Sequence, residues 1–266
     1  MENILYLECY SGISGDMFVG ALLDLGVDKE YLLSNLKTLP IDGYKIEISD
    51  VKKMTINTCD FNVILEKDNH DHDMEYLYGA YHEKHHAHHE NHSHHEHRGL
   101  LEIEEVINKS KITDNAKKIA LNIFNIIAKA EAKAHGVAVS EVHFHEVGAI
   151  DSIVDIVAAA ICIDKLHINK VICSNLYEGR GFVRCQHGKM PIPVPAVVNI
   201  AIEHKLKLHY MDIEGELITP TGAAIVAGLN SKMDLPQSFN IKKIGIGAGK
   251  REYSIPNIIR AMLIEE

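Results

Sequence analysis

The chain has 266 residues and 29.7 kDa, with 27 Lys and Arg against 37 Asp and Glu, a formal net charge of −10. A hydrophobic share of 46% with 24% charged residues supports a real core and excludes a wholly disordered chain. The acidic balance and the lack of Trp exclude a phosphate-tracking, base-stacking surface, so nucleic acid is not an expected partner. Cys9, Cys59, Cys162, Cys173 and Cys185 form no CxxC pair, which suits reduced thiols. Met1-Glu2-Asn3 lacks the basic start of a signal peptide, and no run approaches the ~18 apolar residues of a spanning helix. The expectation is a soluble, cytoplasmic protein with no membrane partner.

In chain order, the apolar run Ile4-Leu5-Tyr6-Leu7 predicts a first strand, followed by a glycine-rich turn and a helix over 17–25 closed by Gly26. A short helix is expected over 29–36, and alternation predicts strands over 44–48 and 58–65. Residues 68–97 then lose Ile and Val and hold eleven of the eighteen histidines, which predicts a mobile, disordered insertion. Helical pattern resumes near Leu100, and Ala116, Ile119, Ala120, Ile123, Ile127, Ala130 and Ala134 mark an amphipathic helix that stops at Gly136. Further on, 142–146 reads as extended, 153–166 as helix and 170–174 as strand. Pro191, Pro193 and Pro195 lead into a helix ending near His204, and another helix runs from Thr219-Pro220 to Leu229. Closing strands over 242–249 and 258–263 complete an α/β or α+β layered fold, read as one domain over 1–266.

Three features carry chemistry. The first is the histidine tract, with His85, His86, His88, His89, His92, His94, His95 and His97 interleaved with carboxylates. Imidazole suits nickel, zinc and copper, and a tract without fixed geometry holds several ions loosely; its competing reading is a solubilising linker. The second is His143-Phe144-His145-Glu146-Val147-Gly148-Ala149-Ile150-Asp151-Ser152-Ile153-Val154-Asp155. On a strand His143 and His145 share a face, and on the following helix Asp151 and Asp155 stand one turn apart. Imidazoles and carboxylates converging at a strand-to-helix junction suit a divalent cation. Helix capping by Asp151 or Ser152 is the alternative. The third is Ser11-Gly12-Ile13-Ser14-Gly15-Asp16, a glycine-rich turn into a helix that seats phosphate or simply turns tightly. Thr219-Pro220-Thr221-Gly222 is a similar turn, and His187, between Arg184 and Lys189, offers a base or an anion contact. No Gly-Lys-Ser/Thr ending, Gly-x-Ser-x-Gly elbow or His-Glu-x-x-His pair is present.

Taken together, these motifs resemble a known family, the nickel-insertion proteins of lactate racemase cofactor synthesis (the LarC family). The resemblance rests on Ser11 to Met17, the His-rich insertion and His145-Glu146-Val147-Gly148-Ala149-x-Asp151-Ser152. It extends through Gln186-His187-Gly188 before Pro191-x-Pro193-x-Pro195, Glu216-x-x-Thr219-Pro220-Thr221-Gly222, and Gly245-x-Gly247-Ala248-Gly249 with Pro256-Asn257.

The resemblance implies a nickel chelatase, a cyclometallase of the lyase class. Such a protein inserts Ni2+ into pyridinium-3,5-bisthiocarboxylic acid mononucleotide, forming the nickel-pincer nucleotide used by a lactate racemase-type client. It also implies CTP with Mg2+ or Mn2+, handled by a C-terminal domain that this chain is expected to lack, or by a second product of the same gene. Forming a nickel–carbon bond requires a base, for which His145, Glu146 and Asp151 are candidates. The metal candidates are His143, His145, Glu146, Asp151, Asp155 and the tract histidines. Nucleotide contacts are expected from Ser14, Gly15, Asp16, His187, Thr219, Thr221 and Gly222. The rivals are a nickel storage protein or metallochaperone without catalysis, and a metal-dependent phosphohydrolase built on Asp151 and Asp155.

Overall fold

A computed structural model describes residues 3–66, 98–144, 149–185, 188–231 and 234–265. The expected histidine tract, His145, Glu146 and His187 lie outside the described residues.

A six-stranded mixed sheet forms the base. It contains β1 (Ile4–Glu8), β2 (Tyr44–Lys53), β3 (Ile56–Leu65), β6 (Lys170–Cys173), β11 (Asn240–Ala248) and β12 (Ile258–Glu265), in the order β2-β3-β11-β12-β1-β6. β1 runs antiparallel to β12, in register from Ile4–Ile264 to Glu8–Arg260, and parallel to β6. Alternation along β1 divides its side chains between the faces. Leu5 and Leu7 enter the main core, whereas Ile4 and Tyr6 join a small cluster with Ile172, Met262 and Ile264.

The helix α1 (Gly15–Asp24) lies directly on β11 and β3, and glycines make that approach possible. A Cβ on Gly247 would stand 1.9 Å from the Met17 carbonyl oxygen, and one on Gly245 would stand 2.2 Å from that of Ala21. The Gly245-x-Gly247 run is therefore a helix–sheet contact. Gly247→Ala is expected to lower stability by about 1–3 kcal/mol, because backbone on both sides must move apart. Urea unfolding checks this, and an unchanged midpoint would contradict the close contact.

The other helices are α2 (Lys29–Leu36), α3 (Leu100–Lys109), α4 (Asp114–His135), α5 (Ile150–Lys165), α6 (Pro195–His204) and α7 (Pro220–Gly228). Thr113 caps the start of α4 by accepting the Ala116 N–H, and left-handed Gly136 (φ 69°) ends it. Its stripe of Ala120, Ile123, Phe124 and Ile127 is buried, with α5, α6 and α7 packed around it. α5 in turn rests on α1. Among the described residues, no helix is long and apolar enough to cross a membrane.

The mixed α/β class matches the sequence expectation, with some adjustments. The first long hairpin extends beyond both expected strands, with β2 and β3 paired from Tyr44–Leu65 to Lys53–Ile56. β5 (His143–Phe144) falls within the extended stretch expected over 142–146, but its partner β4 (Arg98–Gly99) was missed, as were β7 (Leu176–Arg180) with β10 (Leu208–Glu214) and the hairpin of β8 (Phe182–Cys185) and β9 (Gly188–Pro191). Each of these is too short or too polar to show a clear period.

α5 also starts earlier than the pattern suggests, at Ile150. Its N-cap is Ala149, with no side-chain cap. Neither Asp151 nor Ser152 is the N-cap, so that alternative is corrected: Asp151 is inside the first turn, where its Oδ1 accepts the Ser152 N–H at 2.8 Å.

Candidate functional site

A cavity of about 280 Å³ opens where the N-termini of α1, α5 and α7 meet the loop between β11 and β12. Each helix start places short polar side chains at the cavity wall: Ser14 and Asp16, Asp151 and Asp155, Thr219 and Thr221. The 249–257 loop adds Lys250, Arg251 and Asn257, while Arg184 on β8 and Glu216 also line the space.

One wall is acidic. The Ser14 hydroxyl donates to Asp16 Oδ1, which also accepts the Met17 N–H at 2.8 Å. Gly15 lies against Asp155, and a Cβ there would stand 2.7 Å from Asp155 Oδ2. The Asp16 N–H donates to the Asp155 carboxylate. Burial pushes the Asp16 carboxyl up, opposed by Ser14 and Lys250. Burial, then Asp16, then Asp151 push the Asp155 carboxyl well above the usual carboxylate range. Asp155 and Asp16 therefore take up the helix-start donors that Ser14-Gly15 was expected to offer an anion. An anion placed here would face carboxylates, whereas a cation would relieve their repulsion.

The other wall is cationic. Lys250 Nζ donates to Asp60 Oδ1 at 2.5 Å and to the Phe61 carbonyl at 3.3 Å. Arg251 donates to the Glu216 carbonyl at 2.9 Å, with its other terminal nitrogen 3.5 Å from the Glu216 carboxylate. Tyr253 donates to the same carbonyl at 2.8 Å. Two further contacts hold the loop: Asn257 Nδ2 donates to the Arg251 carbonyl at 3.0 Å, and Ser11 Oγ to the Pro256 carbonyl at 2.7 Å.

Beneath the 216–218 segment sits fully buried Glu178. Its Oε1 accepts the N–H groups of Gly179 (2.8 Å), Leu217 (2.8 Å) and Ile218 (3.2 Å), while Oε2 has no hydrogen-bond partner among the described residues.

Of the sequence candidates, Ser14, Gly15, Asp16, Asp151, Asp155, Thr219 and Thr221 share this one cavity. Gly222 does not line it. Its N–H is taken by Thr219 Oγ1 at 3.1 Å, and a Cβ there would stand 2.1 Å from the Ile13 carbonyl oxygen. Gly222 thus serves packing between two turns. His143 belongs to β5, and the chain reaches Ala149 through 145–148, outside the described residues. Among the described residues, no group of three His, Cys, Asp or Glu is placed to hold a metal ion. A bound cation here would draw part of its shell from a ligand.

Lys250, Arg251, Asp60 and Glu178 were missed. The Lys-Arg pair follows the glycine run directly, and that position was the available signal; Asp60 and Glu178 sit within ordinary strand patterns and gave none.

Residues 5–266 match the family model described as "Nickel insertion protein". The chain is 54% identical over 267 residues to the pyridinium-3,5-bisthiocarboxylic acid mononucleotide nickel insertion protein of Alkaliphilus metalliredigens, covering 100% of this chain and 61% of that protein. Proteins of the same description from Clostridium acetobutylicum and Acetivibrio thermocellus are 47% and 42% identical, covering 99% and 98% of this chain and 64% and 60% of theirs. The chain thus spans about three fifths of the length of these relatives. No solved structure matches it.

Proposed function

Because the chain belongs to the nickel insertion protein family, we propose that it inserts nickel into a pyridinium-3,5-bisthiocarboxylic acid mononucleotide bound in this cavity. The supporting observation is the pairing of an acidic and a cationic wall, built from segments far apart in sequence. A nucleotide with a metal-binding ring and a phosphate has the matching asymmetry.

In this reading the two thiocarboxylate sulfurs draw Ni2+ from oxygen and nitrogen ligands, because softer donors hold it better. One ring C–H is replaced by a carbon–nickel bond, and the released proton goes to a base. We assign the base to His145, Glu146 or Asp151, and the protein's nickel ligands to His143, His145, Glu146, Asp151 and Asp155. Ser14, Asp16, His187, Thr219 and Thr221 contact the nucleotide, and the product supplies a lactate racemase-type client.

A triphosphate does not suit this cavity. Three phosphates reaching beyond Lys250 and Arg251 would meet the carboxylates of Asp16, Asp151 and Asp155 that line the same space. CTP with Mg2+ or Mn2+ is assigned to the remaining length of the relatives or to a separate partner chain, and no step here runs through it.

Reaction mixtures containing that remaining region and CTP test the reading. His145→Ala or Glu146→Ala should abolish cofactor formation, whereas deleting 68–97 should only raise the nickel concentration required. A loose loop supplies metal but cannot align it with one carbon and two sulfurs, where about 1 Å of misplacement costs on the order of a hundredfold. Normal maturation in both variants, with loss on tract deletion at saturating nickel, would instead identify a nickel carrier.

The histidine composition favours storage as a second role. Calorimetric titration at neutral pH should show more than one nickel or zinc ion bound, with fewer after deletion of 68–97. Unchanged stoichiometry would remove the storage role.

A further inference from the structure

A mononucleotide carries its phosphate at one end and its metal-binding ring at the other, so the two walls of the cavity are not equivalent for it. A phosphate against Asp16, Asp151 and Asp155 would face three carboxylates across a partly desolvated space. The opposite side offers Arg251 and Lys250 together with the start of α7. Pro220 occupies the first turn of that helix, and Thr219 caps Gly222, which leaves Thr221 as the polar residue at the helix end. Thr221 is only 7% exposed, lines the cavity, and its hydroxyl has no hydrogen-bond partner among the described residues. A hydroxyl that lines the cavity at a helix N-terminus with no hydrogen-bond partner among the described residues, in a cavity that a guanidinium also lines, can donate to an incoming phosphate oxygen.

We propose that the nucleotide phosphate is seated by Thr221, Arg251 and Lys250, and that this seat fixes the substrate with its ring toward Asp16, Asp151 and Asp155. This rests on the function proposed above and adds the direction in which the substrate lies. Arg251 carries five N–H donors, and Glu216 with Tyr253 uses only part of them. Lys250 belongs to the cationic wall, and its charge reaches both Asp16 and Asp155. Glu216 and Asp60 hold the two cations in place before the phosphate arrives.

The test is binding by the full chain of two probes, nicotinic acid mononucleotide and nicotinic acid riboside, which differ by the phosphate alone. The wild type should bind the mononucleotide at least tenfold more tightly, the scale of a charge-assisted hydrogen bond. Thr221→Val and Lys250→Met should each cut mononucleotide affinity several-fold and leave riboside affinity unchanged. Arg251→Gln removes the guanidinium that pairs with Glu216 and risks misfolding, so the paired variant Glu216→Gln/Arg251→Gln, with thermal unfolding alongside, carries the same test.

Equal loss of both probes in these variants, or no loss of either, would overturn the phosphate seat. If the wild type discriminates by phosphate and still inserts nickel while the variants discriminate equally well, the seat alone fails. If the wild type binds neither probe, the seat and the nucleotide reading fall together.

Discussion

Replacing Asp155 with Asn is expected to slow nickel insertion by on the order of a hundredfold while stabilising the metal-free chain. Asp155 packs against Gly15, feels the charge of Asp151 and accepts the Asp16 N–H. Its carboxyl is pushed well up by burial and by two neighbouring carboxylates, so the metal-free site holds repulsion that a cation relieves. The amide has the same shape and keeps an acceptor for the Asp16 N–H, but it brings no charge to the metal. Stability should rise by roughly 1 kcal/mol, as often happens when a functional site is neutralised. Guanidinium unfolding in chelator and single-turnover assays measure the two effects. Loss of activity with loss of stability would mean that Asp155 serves only the fold.

Glu178→Ala is expected to have the largest effect on stability, about 3 kcal/mol or more. It leaves three buried N–H groups without their acceptor, each worth about 1 kcal/mol or more. Leu217 and Ile218 would loosen, and with them the Glu216 carbonyl on which Arg251 and Tyr253 rest. Glu178→Gln retains the acceptor and should keep most of the stability.

The two variants also separate charge from hydrogen bonding. Burial pushes the Glu178 carboxyl up, against the three N–H groups and Arg251. The folded chain thus holds a proton that the unfolded chain has already lost. Glu178 contributes its full stability below the unfolded value of about 4.3, and that contribution declines as pH rises through the folded value. The advantage of wild type over Glu178→Gln should therefore be greatest near pH 4 and smaller at pH 7. An advantage that grows with pH would show the carboxylate, not the acid, to be the favoured form.

Many of the elements were legible because periodicity reports burial. The α4 stripe and the Ile4 to Leu7 run both face continuous core, and both were found close to their true bounds. β8, β9 and β10 escaped because they are largely exposed and show no apolar stripe, and β7 because Glu178, Gly179 and Arg180 interrupt its apolar start.

The site was legible in its helix starts and less so in its chemistry. Ser14 to Asp16, Asp151, Asp155 and Thr219 to Thr221 mark strand-to-helix turns, which local patterns reveal. That Asp155 fills the donors beside Gly15, and that Lys250 reaches both acids, depends on tertiary contacts across more than ninety residues of chain. Gly222 misled for a related reason: a glycine at a helix start serves phosphate approach and backbone packing equally well, and only the nearby Ile13 carbonyl distinguishes them.

The central claim is that insertion takes place inside the cavity. Asn62 lines it from β3, is half-buried, and has no assigned part in binding or proton transfer. Asn62→Trp would fill the space while every charged group stays in the chain. Mass spectrometry of the nucleotide after a single turnover, with the remaining region, CTP and saturating nickel supplied, reads the outcome directly. Expected is the nickel-bearing nucleotide with wild type and almost none with Asn62→Trp, at equal nickel binding and equal thermal stability. Product at the wild-type level from Asn62→Trp would place the chemistry elsewhere.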